Sequence, residues 1–509
     1  MHSPLPIVFS PSQLWNGNDG NWSSFVIRVG VPEQNFRVLP SAATGELIVP
    51  HALGCQSSDG DPSDCAARRG VFDSNHKQGF VPNASTSWQE EGIFDMGLEP
   101  KLGFADSALY GRDNVGLMIQ NSGGPVLENR IVGAVRQMPF FVGFFGLSPL
   151  ASNFTDFSRP QRSYLTTLRD ERQIPSLSYA YNAGAHYSKL LKRTLGYMPT
   201  DIGSPRVFGS LTLGGYDESR FVPNGFTFPF DQDDTQPTSL KLQQIIAERT
   251  PNGSVVILQK ETYVNLDFTM PYLWLPGDTC DRIASLFKLR YDNTTKLYLV
   301  DDNAHKELMT QNPRFSFAFG DSPSLADTVS IDMPYAAFDL QASWPIYNDT
   351  KNYFPIRRAA NESQYTLGRA FMQEAYIIAD FERGNFSLHQ AAFPKSNEQK
   401  IVSISAKNAE THQKTSSLSK DSVAGIIVGS TVFAALLIVL ATLLFYGQRR
   451  SRPANQPKPE KWDRCKETKD NCELPENEVT RSQLMGTEVQ ELQWSREEEI
   501  DGTPRSELA

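Results

Sequence analysis

The sequence predicts an all-β protein followed by one membrane-spanning helix and a disordered tail, and three observations carry that prediction. From about residue 20 to 393, short apolar runs alternate with turns rich in Gly, Pro, Asn and Asp, which is the spacing of strands. Residues 423–446 then form 24 positions without a charge, long enough to cross a bilayer. Beyond them, residues 447–509 are polar, charged and Pro-containing with few aromatics, a composition that cannot bury enough apolar surface to fold. At 509 residues with 39% apolar content, the chain exceeds one ordinary domain and can bury a sizeable core.

The β region is organised around residues 37–50, Arg-Val-Leu-Pro-Ser-Ala-Ala-Thr-Gly-Glu-Leu-Ile-Val-Pro. A hairpin leads into it: Phe25, Ile27 and Val29 alternate with polar neighbours, residues 30–34 turn, and Phe36 and Val38 continue the next strand. A second copy of the frame, Leu-Asp-Phe-Thr-Met-Pro-Tyr-Leu-Trp-Leu-Pro, occupies residues 266–276. A strand, a tight turn and an apolar exit ending in Pro, present twice, resembles the two catalytic loops of the pepsin-like aspartic proteases. Those loops read Asp-Thr-Gly. The resemblance places Ser41, Ala42 and Ala43 at the first triplet and Asp267, Phe268 and Thr269 at the second, so Asp267 alone keeps the family's residue.

Further segments resemble the same family in the same order. Residues 143–147 match the strand that crosses beneath the first loop. Residues 164–179 hold a short helix and the approach to the lobe's last strands. Residues 209–217 look like the interlobe strand. Residues 365–376 resemble the second crossing strand and its following helix, with Arg369 where an acid is common, and residues 377–390 read as closing strands. The resemblance implies a bilobal acid-protease fold: an N-terminal segment 1–19, an N-terminal β lobe 20–215, a C-terminal β lobe 216–393, a stalk 394–422, the transmembrane helix 423–446 and a cytoplasmic tail 447–509. It looks most like membrane-anchored fungal members of the family with a degenerate site.

Aspartic protease chemistry needs two carboxyls close enough to share a proton and hold a water between them. Here the surviving acid, Asp267, would face Ser41, which replaces the first aspartate and cannot supply the proton or the charge. No Asp lies between Gly20 and Ser58 to rescue the pair, and Glu46 sits past the loop. The flap region, residues 83–109, has no tyrosine, leaving Phe104 to cover the cleft. Phe268 is expected to crowd the second loop. The expectation is therefore a homologue that is not catalytic and whose cleft takes an extended peptide or protein ligand, against the alternative of an active membrane-anchored endopeptidase. No motif for a metal, phosphate or serine nucleophile is present, and no cofactor is expected.

The compartment follows from several signals. Eight Asn-x-Ser/Thr sequons begin at Asn21, Asn83, Asn153, Asn252, Asn293, Asn348, Asn361 and Asn385, and none lies beyond. Arg449, Arg450 and Arg452 follow the apolar span directly, which puts the tail in the cytosol and the sequons outside, a type I arrangement at the plasma membrane or a secretory-pathway membrane. Residues 1–9 lack a basic start and a long apolar run, so a secretion signal is expected upstream of Met1. Of the five cysteines, Cys55 and Cys65 lie where many pepsin-like proteins carry a disulfide, and a short loop in an oxidising compartment favours the bond. Cys280 lacks its family partner and is expected to be a buried free thiol. The net charge of −10 argues against a nucleic-acid partner.

Overall fold

The computed structural model describes residues 4–56, 60–72, 78–104, 106–154, 158–187, 206–234, 236–321, 328–394 and 398–407. The apolar span 423–446, the tail 447–509 and most of the stalk lie outside the described residues. Among the described residues no helix is long and apolar enough to cross a membrane.

The first half of the chain builds an eight-stranded sheet. Its order is Pro11–Asn16, Trp22–Val29, Gln34–Ser41, Gly143–Gly146, Leu47–Pro50, Val126–Val135, Ser107–Leu117 and Gln89–Asp95. Trp22–Val29 is buried along its whole length, as expected for a strand covered on both faces. The second half builds another eight-stranded sheet, in which Thr262–Leu266, Thr366–Leu367 and Leu273–Leu275 lie side by side. There Arg314–Phe319 alternates exposed and buried residues, with Phe315, Phe317 and Phe319 inward. Two such sheets are consistent with a bilobal pepsin fold.

A third sheet draws strands from both halves: Ile7–Phe9, Val207–Leu213, Ser178–Ala185, Ala375–Asp380 and Asn385–Ala391 run side by side. Ser178 pairs with Asp380 and Tyr181 with Ile377, so the two halves share one hydrogen-bonded ladder. Residues before 20 are part of this architecture, since Ile7–Phe9 pairs with Leu211–Leu213 and Pro11–Asn16 with the next strand of the first sheet. At the other end, Ile401–Ser403 pairs with Gly215–Asp217, beyond residue 393.

The repeat read from the sequence is visible as matched strand triplets. Gly143–Gly146 runs parallel to Gln34–Ser41 and antiparallel to Leu47–Pro50. Thr366–Leu367 does the same between Thr262–Leu266 and Leu273–Leu275. A glycine, the last residue of the first crossing strand and the residue directly after the second, is wedged against each loop. A Cβ on Gly146 would stand 2.5 Å from the carbonyls of Thr44 and Glu46, and one on Gly368 2.3 Å from Tyr272 O and 2.5 Å from Met270 O. The helix expected after the second crossing is a single 3₁₀ turn, Phe371–Gln373, buried throughout. Phe371 packs against Phe317 and Phe319, and that contact rather than helical propensity shapes the segment.

Candidate functional site in the interlobe cleft

The first loop spans the gap between Gln34–Ser41 and Leu47–Pro50, and the second the gap between Thr262–Leu266 and Leu273–Leu275. The two loop tips meet. Ser41 is fully buried, its carbonyl accepts the amide of Leu147 at 2.9 Å, and its hydroxyl lies 2.7 Å from the hydroxyl of Thr269. Thr269 in turn donates to Asp267 Oδ1 twice, from its hydroxyl at 2.6 Å and its amide at 2.9 Å. These contacts fix the direction of the chain: Ser41 donates to Thr269, which donates to Asp267. The amide of Ala43 also reaches the Thr269 oxygen, at 3.4 Å. Residue 269 therefore puts a hydroxyl between the two loops and ties them together.

Phe268 does not crowd the cleft. It is fully buried, with its ring 4.5 Å from that of Tyr181 and 6.4 Å from that of Tyr179, both on the strand Ser178–Ala185 of the shared sheet. A phenyl ring that would be costly over a polar floor gains by burial in this aromatic layer. Behind the loop, Arg369 is buried and donates from Nε to Phe268 O at 3.1 Å and from Nη2 to Thr269 O, while its guanidinium lies 5.0 Å from the Trp22 ring. A guanidinium holds two loop carbonyls where an acid could hold neither.

The hairpin of Gln89–Asp95 and Ser107–Leu117 carries a tip, residues 96–104, that brings the buried Glu99 carboxyl close enough to Asp267 for the two acids to interact. Asp267 Oδ1 already receives two donors, whereas among the described residues no N–H or O–H donor reaches the buried Glu99 Oε1. Two buried carboxyls that interact do not both ionise readily, and this donor balance puts the proton on Glu99. Burial first, then Asp267 beside it, push the Glu99 carboxyl well above the ordinary carboxylate range, against a smaller opposing effect of Lys101. Glu99 also adopts a left-handed backbone, φ 49° and ψ 39°, directly before Pro100. A non-glycine residue holds that conformation only when its surroundings enforce it.

The rest of the tip is clamped in the same place. Met96, Leu98 and Leu102 are buried, Gln364 donates to Lys101 O, and Lys101 Nζ lies 3.6 Å from Asp233. Phe104 packs at a tilt near Phe140 and faces the Arg357 guanidinium. Glu46, at the exit of the first loop, accepts the Tyr110 hydroxyl at 2.7 Å, and burial pushes its carboxyl up. A cavity of about 60 Å³ beside it is walled by Phe94, Met96, Leu150 and Phe154.

With this geometry in view, the similarities of the chain gain meaning. It is 26% identical over 204 residues to barrierpepsin of Saccharomyces cerevisiae, which covers 38% of this chain and 32% of that protein. The similarity is distant, and it is to a pepsin-family aspartic protease. No family model matches the chain.

Cys55 and Cys65 are disulfide-bonded. Cys280 is a buried free thiol near the carbonyls of Leu275 and Arg357, and burial pushes it up to about 12, which keeps it protonated and inert. Three residues of the site escaped sequence reading: Glu99, the hydroxyl of Thr269 and the role of Arg369. Glu99 carried a signal, since it is a lone acid among Met96, Leu98, Leu102 and Phe104 in a tip flanked by Gly97 and Gly103. An acid in so apolar a segment needs a partner from elsewhere.

Proposed function

We propose that this protein is a single-pass cell-surface glycoprotein of type I topology, whose pepsin-like ectodomain binds an extended peptide or protein chain without hydrolysing it. The observation that carries the reading is the first loop. Its tip presents Ser41, whose hydroxyl is committed to Thr269, so the two loops do not confront one carboxyl with another across a water. The sequons support the exposed placement: Asn21, Asn83, Asn252, Asn293, Asn348 and Asn361 are exposed, while Asn153 and Asn385 are half-buried.

A second reading, an active acid endopeptidase, draws support from the nearness of the Glu99 and Asp267 carboxyls, since such a pair could share a proton. The origin of Glu99 weighs against it. The pair forms between flap and loop, and a peptide lying between the two would part the acids as it bound.

The test is a peptide-library assay on the full-length protein at acid and neutral pH. Binding without cleavage is expected. Pepstatin-sensitive cleavage abolished by both Asp267→Asn and Glu99→Gln would establish the second reading. Glycosidase treatment of intact cells should lower the mass, and external protease should spare residues 447–509. A glycosylated or externally cleaved tail overturns the topology.

A further inference from the structure

The sheet shared by the two halves has a second face, turned away from the two loops. Neighbours along a strand point to opposite faces, and Tyr179 and Tyr181 pack on the Phe268 ring from one of them. Ala180 lies on the other, where it packs with Tyr376, Phe221 and Ile378 in a small core of its own. Thr212 pairs with both Ala180 and Val8, so Val8 and Ser210 share that outer face. On this side a cavity of about 330 Å³ is bounded, among the described residues, by Val8, Pro11, Phe208, Ser210, Arg220 and Pro394. Its size is at the lower end for a small-molecule site, and its walls mix apolar surface with a few polar groups.

Arg220 is the group in this wall that lacks a counterpart. It ends the turn Glu218–Arg220; its Nη2 donates to Phe208 O, its Nε is enclosed with no acceptor, and its Nη1 bonds nothing among the described residues. Asp217, close by, is committed elsewhere. Its Oδ1 accepts the Ser219 amide at 3.0 Å, the Ser219 hydroxyl at 2.7 Å and the Lys400 amide at 2.9 Å. Burial pulls the Arg220 guanidinium below its ordinary value, with Tyr376 and Asp217 opposing. A partly buried cation without an ion-pair partner is costly, and an anion in the cavity relieves that cost. We propose that the cavity binds a small organic monocarboxylate, its charge on Arg220 and its apolar body along Val8, Pro11 and Phe208. The balance of charge sets the class. Arg206 and Arg220 bring two cations to the lining, and Asp217 and Glu398 two acids, so one negative charge is accommodated better than two. Arg206 and Glu398 are exposed and screened, which leaves Arg220 as the selective contact. Cavity and loops lie on opposite faces of one sheet, so this site does not depend on the peptide groove.

Binding of hexanoate to the full-length protein, read by ligand-observed NMR, tests the site, with hexanamide and hexyl phosphate as neutral and dianionic probes. Hexanoate should bind about tenfold more tightly than hexanamide, the worth of one charge-assisted hydrogen bond, and more tightly than hexyl phosphate. Arg220→Gln keeps a donor for Phe208 O but removes the charge, so hexanoate should fall to the level of hexanamide. Val8→Trp fills the cavity and leaves Arg220 in place, and it should abolish the binding of both. That second variant keeps the test decisive where Arg220→Gln folds poorly. Glu398→Gln should tighten hexanoate by about twofold, as for removal of one exposed like charge. Hexanoate that binds no better than hexanamide, or that binds equally well to the wild type and Val8→Trp, overturns the proposal. Tighter binding of hexyl phosphate than of hexanoate overturns the assignment of a monocarboxylate.

Discussion

Phe268 and Arg369 set the packing and the hydrogen bonding of the second loop around Asp267. Phe268 fills the aromatic layer with Tyr179 and Tyr181, so a threonine there would empty a fully buried site. Phe268→Thr should lower stability by about 3 kcal/mol, read as a shift in the denaturant midpoint at constant slope. An unchanged midpoint would mean that the ring does not pack as described. Arg369→Leu removes the donors from two buried carbonyls and should cost about 2–4 kcal/mol. Arg369→Lys should recover only part of that, because one ammonium cannot match the planar fork over Trp22. Full recovery by lysine would show that charge alone matters at this position.

Among the elements, the loop closed by Cys55 and Cys65 buttresses the first sheet. Its short helix Cys65–Arg68 leads to Arg69, which is fully buried and donates to the carbonyls of Gly54, Val135, Arg136, Gln137 and Phe141. The bridge spans a sequence separation of 10. Replacing both cysteines with serine should cost about 2–3 kcal/mol, at the low end for a small loop. A loss well beyond that range would show that Arg69 loses its carbonyl cage along with the bridge. The sequence made this element legible because both cysteines are close along the chain. The seat of the tip 96–104 was not legible, because a hairpin tip reveals nothing about which distant segment it will touch, here Gln364 and Asp233.

Across the whole molecule, several buried groups tie stability to pH. Burial pushes Glu374 up to about 8, with Tyr187 as its hydrogen-bond partner at 2.8 Å, and pushes Glu46 and Glu99 upward as well. A carboxyl raised in the folded state stabilises fully below its unfolded value, about 4.5, and that stabilisation is lost as the pH rises through the folded value. Burial lowers His51 and His389 to about 4, so their contribution is present above about 6.5 and lost as the pH falls toward 4. The two sets oppose each other between about pH 4.5 and 6.5, and only the carboxyls act between about 6.5 and 8. Stability measured by chemical denaturation should therefore fall over that upper interval, by about 1 kcal/mol per pH unit for each carboxyl still protonated. Glu374→Gln should flatten the slope by one such contribution. A slope of the opposite sign would exclude the assignment of buried, protonated carboxyls.

Residues adjacent in the chain settled much of this by themselves. The two strand–turn–Pro frames rest on patterns a few residues long, where periodicity and turn chemistry act directly, and the crossing strands beside them and the disulfide followed from the resemblance that those frames carry. Only the tertiary structure decided what those positions do. Phe268 is harmless because a strand from the other half of the chain supplies its aromatic neighbours. Thr269 bridges the loops because Ser41 comes within 2.7 Å of it. Asp267 has a second acid beside it because a flap folds over the cleft. Each of these depends on groups far apart in sequence meeting in a buried place, where loss of solvent turns one hydrogen bond or one proton into a controlling interaction.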